Sequence, residues 1–215
     1  MSAAAYAKIR EIGAPVITTG EAAAALRVSE SSASRTLRSL SARGLLRKIR
    51  AGLWAIDGAA RDPRAFAAEL TRPFPAYVSF QSALAARGVI DQIPREFTLA
   101  SLGKSKHVRT SVGAFRVHHL PAYLFGDFEQ HDGFGLATSE KAVFDYFYVA
   151  CASGHPDRRL PELDLPADFS EERLRSWVAR VNSPRLRKLV ETAVERALEH
   201  AEHEDEPPRS SRSSK

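Results

Sequence analysis

The sequence predicts an α/β (α+β) chain in two parts. A short helical module closed by a basic hairpin comes first, and a mixed α/β domain with a small sheet flanked by helices follows. Three observations carry this reading: a capped helix pair followed by two short apolar–basic strands within Thr18–Ile56, a one-sided charge distribution, and alternating strand-like and helical stretches after residue 76.

In the first part, Ala5, Tyr6, Ile9 and Ile12 mark one face of an opening helix that Gly13 and Pro15 end. Thr18-x-x-Glu21 is a capping-box pattern starting a second helix to about Leu26, whose Ala22, Ala23 and Ala25 permit close packing. Arg27-Val28-Ser29 reads as the turn, with Val28 expected to lock the helices together and Ser29 to cap the next. The third helix is expected from Glu30 to Arg43, with Gly44 as its stop. Ala33, Leu37 and Leu40 make its buried stripe. Ser31, Arg35, Arg38 and Ala42 lie opposite, flanked by Ser34. LRKI and LWAI around Arg50-Ala51-Gly52 then read as a hairpin.

This order is that of a winged helix-turn-helix, and its chemistry suits DNA. Small hydroxyls let a helix approach a groove, and arginines reach phosphates or guanine edges. The candidate DNA-binding residues are Ser29, Ser31, Ser32, Ser34, Arg35 and Arg38 on the helix, with Arg47, Lys48 and Arg50 on the hairpin. Glu30 needs no role beyond complementing the helix dipole. A Ser/Arg surface is often only a solvated face, so the charge distribution matters. Of 31 basic and 26 acidic side chains, residues 1–60 hold nine and four, leaving 22 of each for the remainder. The whole excess of +5 sits where a polyanion would bind.

Residues 61–75, with Pro63, Pro73 and Pro75 bracketing a short helical pattern at Phe66 and Leu70, read as a linker. Residues 76–203 form the expected second domain. Tyr77-Val78-Ser79 enters a helix ending near Gly88, Phe97 and Leu99 belong to one strand, and Phe115, Val117 and His119 alternate along another. Thr138 is the expected N-cap of a helix from Ser139 to about Ala152. Its run AVFDYFYVA is apolar almost all round and should be buried. Further helices follow Ser170 and Ser183, and residues 204–215 read as a disordered tail.

Chemistry-bearing constellations are few. Gly103-Lys104-Ser105 resembles the end of a phosphate-binding loop, but Thr98 stands where the first glycine is required, so a polar loop between strands is the better reading. Adjacent His118 and His119 on a strand point to opposite faces and cannot share a metal. Glu140, Lys141 and Asp145 are the best polar group of the second domain. A carboxylate in the run around Asp145 calls for a buried partner, expected to be an arginine. The lone Cys151 forms no internal disulfide. No cofactor, metal or catalytic set is expected. No apolar run suits a membrane span and the N-terminus lacks a signal-peptide core, so a cytoplasmic protein without a membrane partner is expected.

Three stretches behind this module form a recognisable set: Ser82 to Pro94, of the form Ser-Ala-Leu-x-x-x-Gly-hydrophobic-x-x-Gln-x-Pro; His118 to Pro121; and the Ala-Thr-x-Glu-Lys-Ala start at Ala137 to Ala142, followed by Asp145. With them the chain resembles, over roughly residues 5–200, the AbiEi antitoxins, the transcriptional-regulator half of type IV toxin–antitoxin pairs. The resemblance implies a bacterial autorepressor that binds operator DNA of its own promoter. It also implies a second domain that neutralises a nucleotidyltransferase-like AbiEii-type toxin, with no stable direct complex as the default. Two alternatives stay open: an antitoxin that inactivates the toxin enzymatically, for example as an atypical protein kinase, and a ligand-responsive repressor without a toxin.

Overall fold

In the computed structural model, which describes residues 2–56, 62–131 and 133–204, the N-terminal part is built from α1 (Ser2–Arg10), β1 (Val16–Thr18), α2 (Thr19–Leu26), α3 (Glu30–Ala42), β2 (Leu46–Arg50) and β3 (Leu53–Ile56). The capping box forms as the residue types require. Thr18 Oγ1 accepts from the Glu21 amide at 3.1 Å while a Glu21 carboxylate oxygen accepts from the Thr18 amide at 2.7 Å. Ser29 caps α3, and Gly44, at φ +74°, supplies the left-handed turn after it. Ile9, Ala22, Ala23, Ala33, Leu37 and Leu40 close a small core.

Val28 does not lock the helices. It is 44% exposed, because Arg27 ends α2 in the left-handed conformation and the Val28 amide turns back to the Ala23 carbonyl. Ala22 and Ala23 of α2 and Ala33 of α3 make the junction instead, their small side chains bringing the backbones close.

The three strands pair antiparallel in the order β1-β3-β2, and this sheet is a wall between two cores. Along β3 the side chains alternate: Trp54 and Ile56 enter the small N-terminal core, while Leu53 and Ala55 enter the main core of the molecule. Val16 and Ile49 follow Leu53. The continuous apolar run LWAI is therefore the signature of a strand buried on both faces.

The second part adds α4 (Ala67–Thr71), β4 (Ala76–Val78), α5 (Phe80–Ala86), β5 (Phe97–Ser101), β6 (Lys106–Thr110), β7 (Gly113–His119), β8 (Phe128–His131), β9 (Phe134–Ala137), α6 (Ser139–Ala152), α7 (Glu171–Ala179) and α8 (Pro184–Glu204). In all, the described residues form eight α-helices and two sheets in a mixed α/β arrangement. The second sheet has six strands, β6-β7-β5-β4-β9-β8, with β5/β7 and β4/β9 parallel and the other pairs antiparallel. It is larger than expected because β4, β6 and β8 are short or polar and carry little alternation. Gly135 lets β9 lie beneath Phe128 and Tyr77; a Cβ there would stand 2.6 Å from the Phe128 ring.

The segment expected as a linker is structural. Phe66, Ala67 and Leu70 are buried in the main core, and Arg72 bridges Glu69 of α4 to Glu21 of α2, at 2.8 Å to each. Residues 57–61, within the module's end and the linker's start, and the expected tail beyond Glu204 lie outside the described residues. A second tie runs from the β6–β7 turn. The Ser111 amide donates to the Ile49 carbonyl at 3.0 Å and its hydroxyl to the Lys48 carbonyl at 2.7 Å. Among the described residues, no helix is long and apolar enough to cross a membrane.

Candidate nucleic-acid interface and the buried polar cluster

The amphipathic pattern of α3 places its polar side outward. Ser29, Ser31, Arg35 and Arg38 are exposed, and Ser32 and Ser34 are half-buried along the flank of the same helix. Local hydrogen bonds organise this face. Ser29 Oγ accepts from the Ser32 amide at 3.3 Å and lies 3.0 Å from Ser31 Oγ. Arg35 donates to Ser32 Oγ at 3.2 Å, and Arg38 Nε donates to the Ser34 carbonyl at 3.3 Å. Neither arginine is paired with a carboxylate among the described residues, so both guanidinium charges face solvent uncompensated. On the hairpin Arg47, Lys48 and Arg50 are exposed. Lys48 lies over the Trp54 ring at 5.8 Å, and Trp54 is anchored by its Nε1 donating to Thr19 Oγ1 at 3.1 Å. Lys48 and Arg50, two residues apart around the buried Ile49, both lie outward, and the pairing of β2 with β3 shifts register between them.

Of Glu140, Lys141 and Asp145, the structure brings the last two together, inside the molecule, and leaves Glu140 outside their pair. Eleven of the fourteen residues of α6 are buried, and Lys141 and Asp145 are fully enclosed. Asp145 pairs with Lys141 one helical turn earlier, correcting the expected arginine, and also accepts from Tyr77 Oη at 2.9 Å and Ser79 Oγ at 2.7 Å. The Lys141 ammonium sits among the rings of Trp177 (4.5 Å) and Phe144 (4.9 Å). Burial pushes Lys141 down and Asp145 up from their ordinary values, each opposed by the charge of the other, and burial beside Asp145 raises Tyr77. Both carboxylate oxygens of Asp145 are hydrogen-bonded away from solvent, and the cluster fixes α6 against β4. Glu140, also buried, accepts from the Ser170 amide at 2.8 Å, tying the starts of α6 and α7.

The residue that sequence reasoning missed here is Asp127. It has φ +62°, pairs with Arg173, and accepts from Trp177 Nε1 at 2.8 Å and Thr138 Oγ1 at 3.3 Å. Arg173 and Trp177 hold its carboxyl below the usual range against the opposing effect of burial. The only signal was Gly126-Asp127, a turn dipeptide. Tyr77 and Ser79 were more legible: two apart in an extended stretch, β4 and the residue that follows it, they point to the same side. His118 is half-buried and His119 exposed, and Gly103-Lys104-Ser105 lies in the loop between β5 and β6. No group of three His, Cys, Asp or Glu side chains among the described residues could hold a metal ion.

The chain matches no protein-family model, and a search of curated proteins likewise gives no match.

Proposed function

We propose that the protein is a DNA-binding autorepressor and the antitoxin of a type IV-like pair. In this reading residues 1–60 are a winged helix-turn-helix, α3 is its recognition helix, and the β2–β3 hairpin is its wing. The observation that carries the DNA half is the outward face of α3: the hydroxyls of Ser29, Ser31, Ser32 and Ser34 and two arginines with no carboxylate partner among the described residues, on the part of the chain holding the whole net charge. Phosphate contacts would come from Arg47, Lys48 and Arg50, and base-edge contacts from Arg35 and Arg38.

The antitoxin half rests on the resemblance of Ser82–Pro94, His118–Pro121 and Ala137–Asp145. The second domain would silence a nucleotidyltransferase-like toxin encoded beside it, in the cytoplasm. The deciding experiment has two arms. Arg35→Ala with Arg38→Ala should abolish the mobility shift of the protein's own promoter DNA at physiological salt while co-expression still rescues cells from the neighbouring toxin. A retained shift removes α3 from the role of reader. Loss of rescue in cells producing only the α3-disabled protein, at equal protein level, would mean that silencing acts through DNA alone.

A further inference from the structure

A cleft of about 620 Å³ opens on the second domain between α5, the 87–96 loop, β7 and the start of the segment after α6. Its size falls in the range of small-molecule sites. Three stretches singled out in the sequence meet in it: Gln92 to Pro94, His118, and the later turns of α6 at the buried Tyr146 and the half-buried Val149.

The floor is strained and stiff. Phe80 is buried with φ +56°, a conformation costly for a bulky side chain. It is held there because Thr98 Oγ1 donates to the Ser79 carbonyl at 2.8 Å while Thr98 and Ser82 exchange backbone-to-hydroxyl hydrogen bonds. The strain sets the Phe80 ring 4.7 Å from the half-buried His118 ring. At the rim Ile93 is 90% exposed, the largest apolar exposure on the described surface.

The charge around this floor is unbalanced. Arg95, Arg116 and Arg158 line the cleft, and Glu96 is its one acidic lining residue. Glu96 is already taken by Arg116 and by His107, each at 2.9 Å. Arg158 stands over the Tyr146 ring at 5.4 Å, and Arg95 has no hydrogen-bond or ion-pair partner among the described residues. His118 is pushed down to about 4 by burial, with the charges of Arg116 and Arg158 adding to it, so it is neutral at pH 7 and can donate or accept.

We propose that this cleft binds a small organic phosphate, whose dianion is neutralised by Arg95 and Arg158 and whose apolar body covers Phe80 and Ile93. Guanidinium forks match phosphate oxygens, two uncompensated cations call for a doubly charged group, and the amides of Gln81 and Gln92 add donors. The site is separate from α3 and stands whether or not that helix reads DNA.

The test uses the full chain, calorimetry and NMR of the His118 ring, with AMP, inorganic phosphate and citrate as probes. AMP should bind saturably and more tightly than inorganic phosphate. The His118 midpoint should rise from about 4, because an anion beside the ring favours its protonated form. Arg95→Ala with Arg158→Ala, both exposed and outside the core, should weaken AMP at least about tenfold, the order expected when charge-assisted hydrogen bonds are lost. Arg35→Ala with Arg38→Ala should bind AMP as the unchanged protein does. The proposal is overturned by absent saturation up to about 5 mM AMP, by undiminished binding in the Arg95/Arg158 variant, or by citrate binding where AMP does not.

Discussion

Helices α3 and α6 have nearly the same length, 13 and 14 residues, and both begin on a hydroxyl cap, yet they handle charge in opposite ways. In α3 the apolar stripe is narrow and Arg35 and Arg38 are left to solvent without counter-ions. In α6 the apolar surface is nearly complete, and its Lys141 and Asp145 neutralise each other one turn apart. An uncompensated exposed charge has favourable energy to gain from a partner. A buried, paired charge has only energy to lose. The first kind of helix is suited to recognition and the second to fixing the position of its neighbours.

The largest test of this contrast asks whether the unit carrying α3 stands without the one carrying α6. Val16, Ile49 and Leu53 belong to the main core, so a fragment of residues 1–60 would expose them. Each such side chain is worth about 1.5–3 kcal/mol of burial, and three approach the whole stability of a small domain. The fragment should lack a cooperative thermal transition by circular dichroism. A sharp transition would show that the shared wall is dispensable.

Lys141→Met comes next. It leaves the Asp145 carboxylate fully buried with only the Tyr77 and Ser79 hydroxyls, and should cost about 3–5 kcal/mol in urea denaturation. Lys141→Met with Asp145→Asn removes the charge while keeping an acceptor for both hydroxyls, and should lose distinctly less. A double variant as unstable as the single would mean that Lys141 acts through packing against Trp177 and Phe144, not through charge. Arg35→Ala, by contrast, should leave the denaturation midpoint where it was and weaken operator binding by roughly tenfold. Instability in that variant would place Arg35 among the structural residues and erase the contrast.

The two helices also differ in how well the sequence exposed them. The caps Thr18, Ser29 and Thr138, and the bounds of α2, α3 and α6 to within a residue or so, follow from local rules that act within one turn. So does the burial of α6, because AVFDYFYVA has no polar side to offer solvent. What failed depends on distant partners. That Asp145 meets Lys141 was within reach, since four residues apart on a buried helix is contact distance. That Tyr77 and Ser79 complete the pair depends on β4 lying beside α6. LWAI announced a strand buried on both sides, but a hairpin reading assigns one side to water, so the core shared with Phe66 and Leu70 stayed hidden. Asp127 and the cleft around Phe80 were invisible for the same reason: their residues are far apart in sequence and only tertiary packing assembles them.

The smallest prediction sharpens the contrast at the helix starts. Ser29 and Thr138 perform the same local task, each accepting from a backbone amide of the first turn at 3.3 Å. Ser29 does so in water, where a lost cap is partly replaced by solvent, and Ser29→Ala should cost about 0.5–1 kcal/mol. Thr138 is buried and also donates to Asp127, which in turn orders Arg173 and Trp177 of α7. Thr138→Ala therefore leaves the buried Lys141 amide without its cap and takes one of three donors from Asp127 Oδ2, and should cost about 2 kcal/mol. Thr138→Ser keeps the hydroxyl and should recover most of that loss. Equal costs for the two alanine variants in urea titrations would mean that the Asp127 contact adds nothing, and that α6 starts as independently of its surroundings as α3 does.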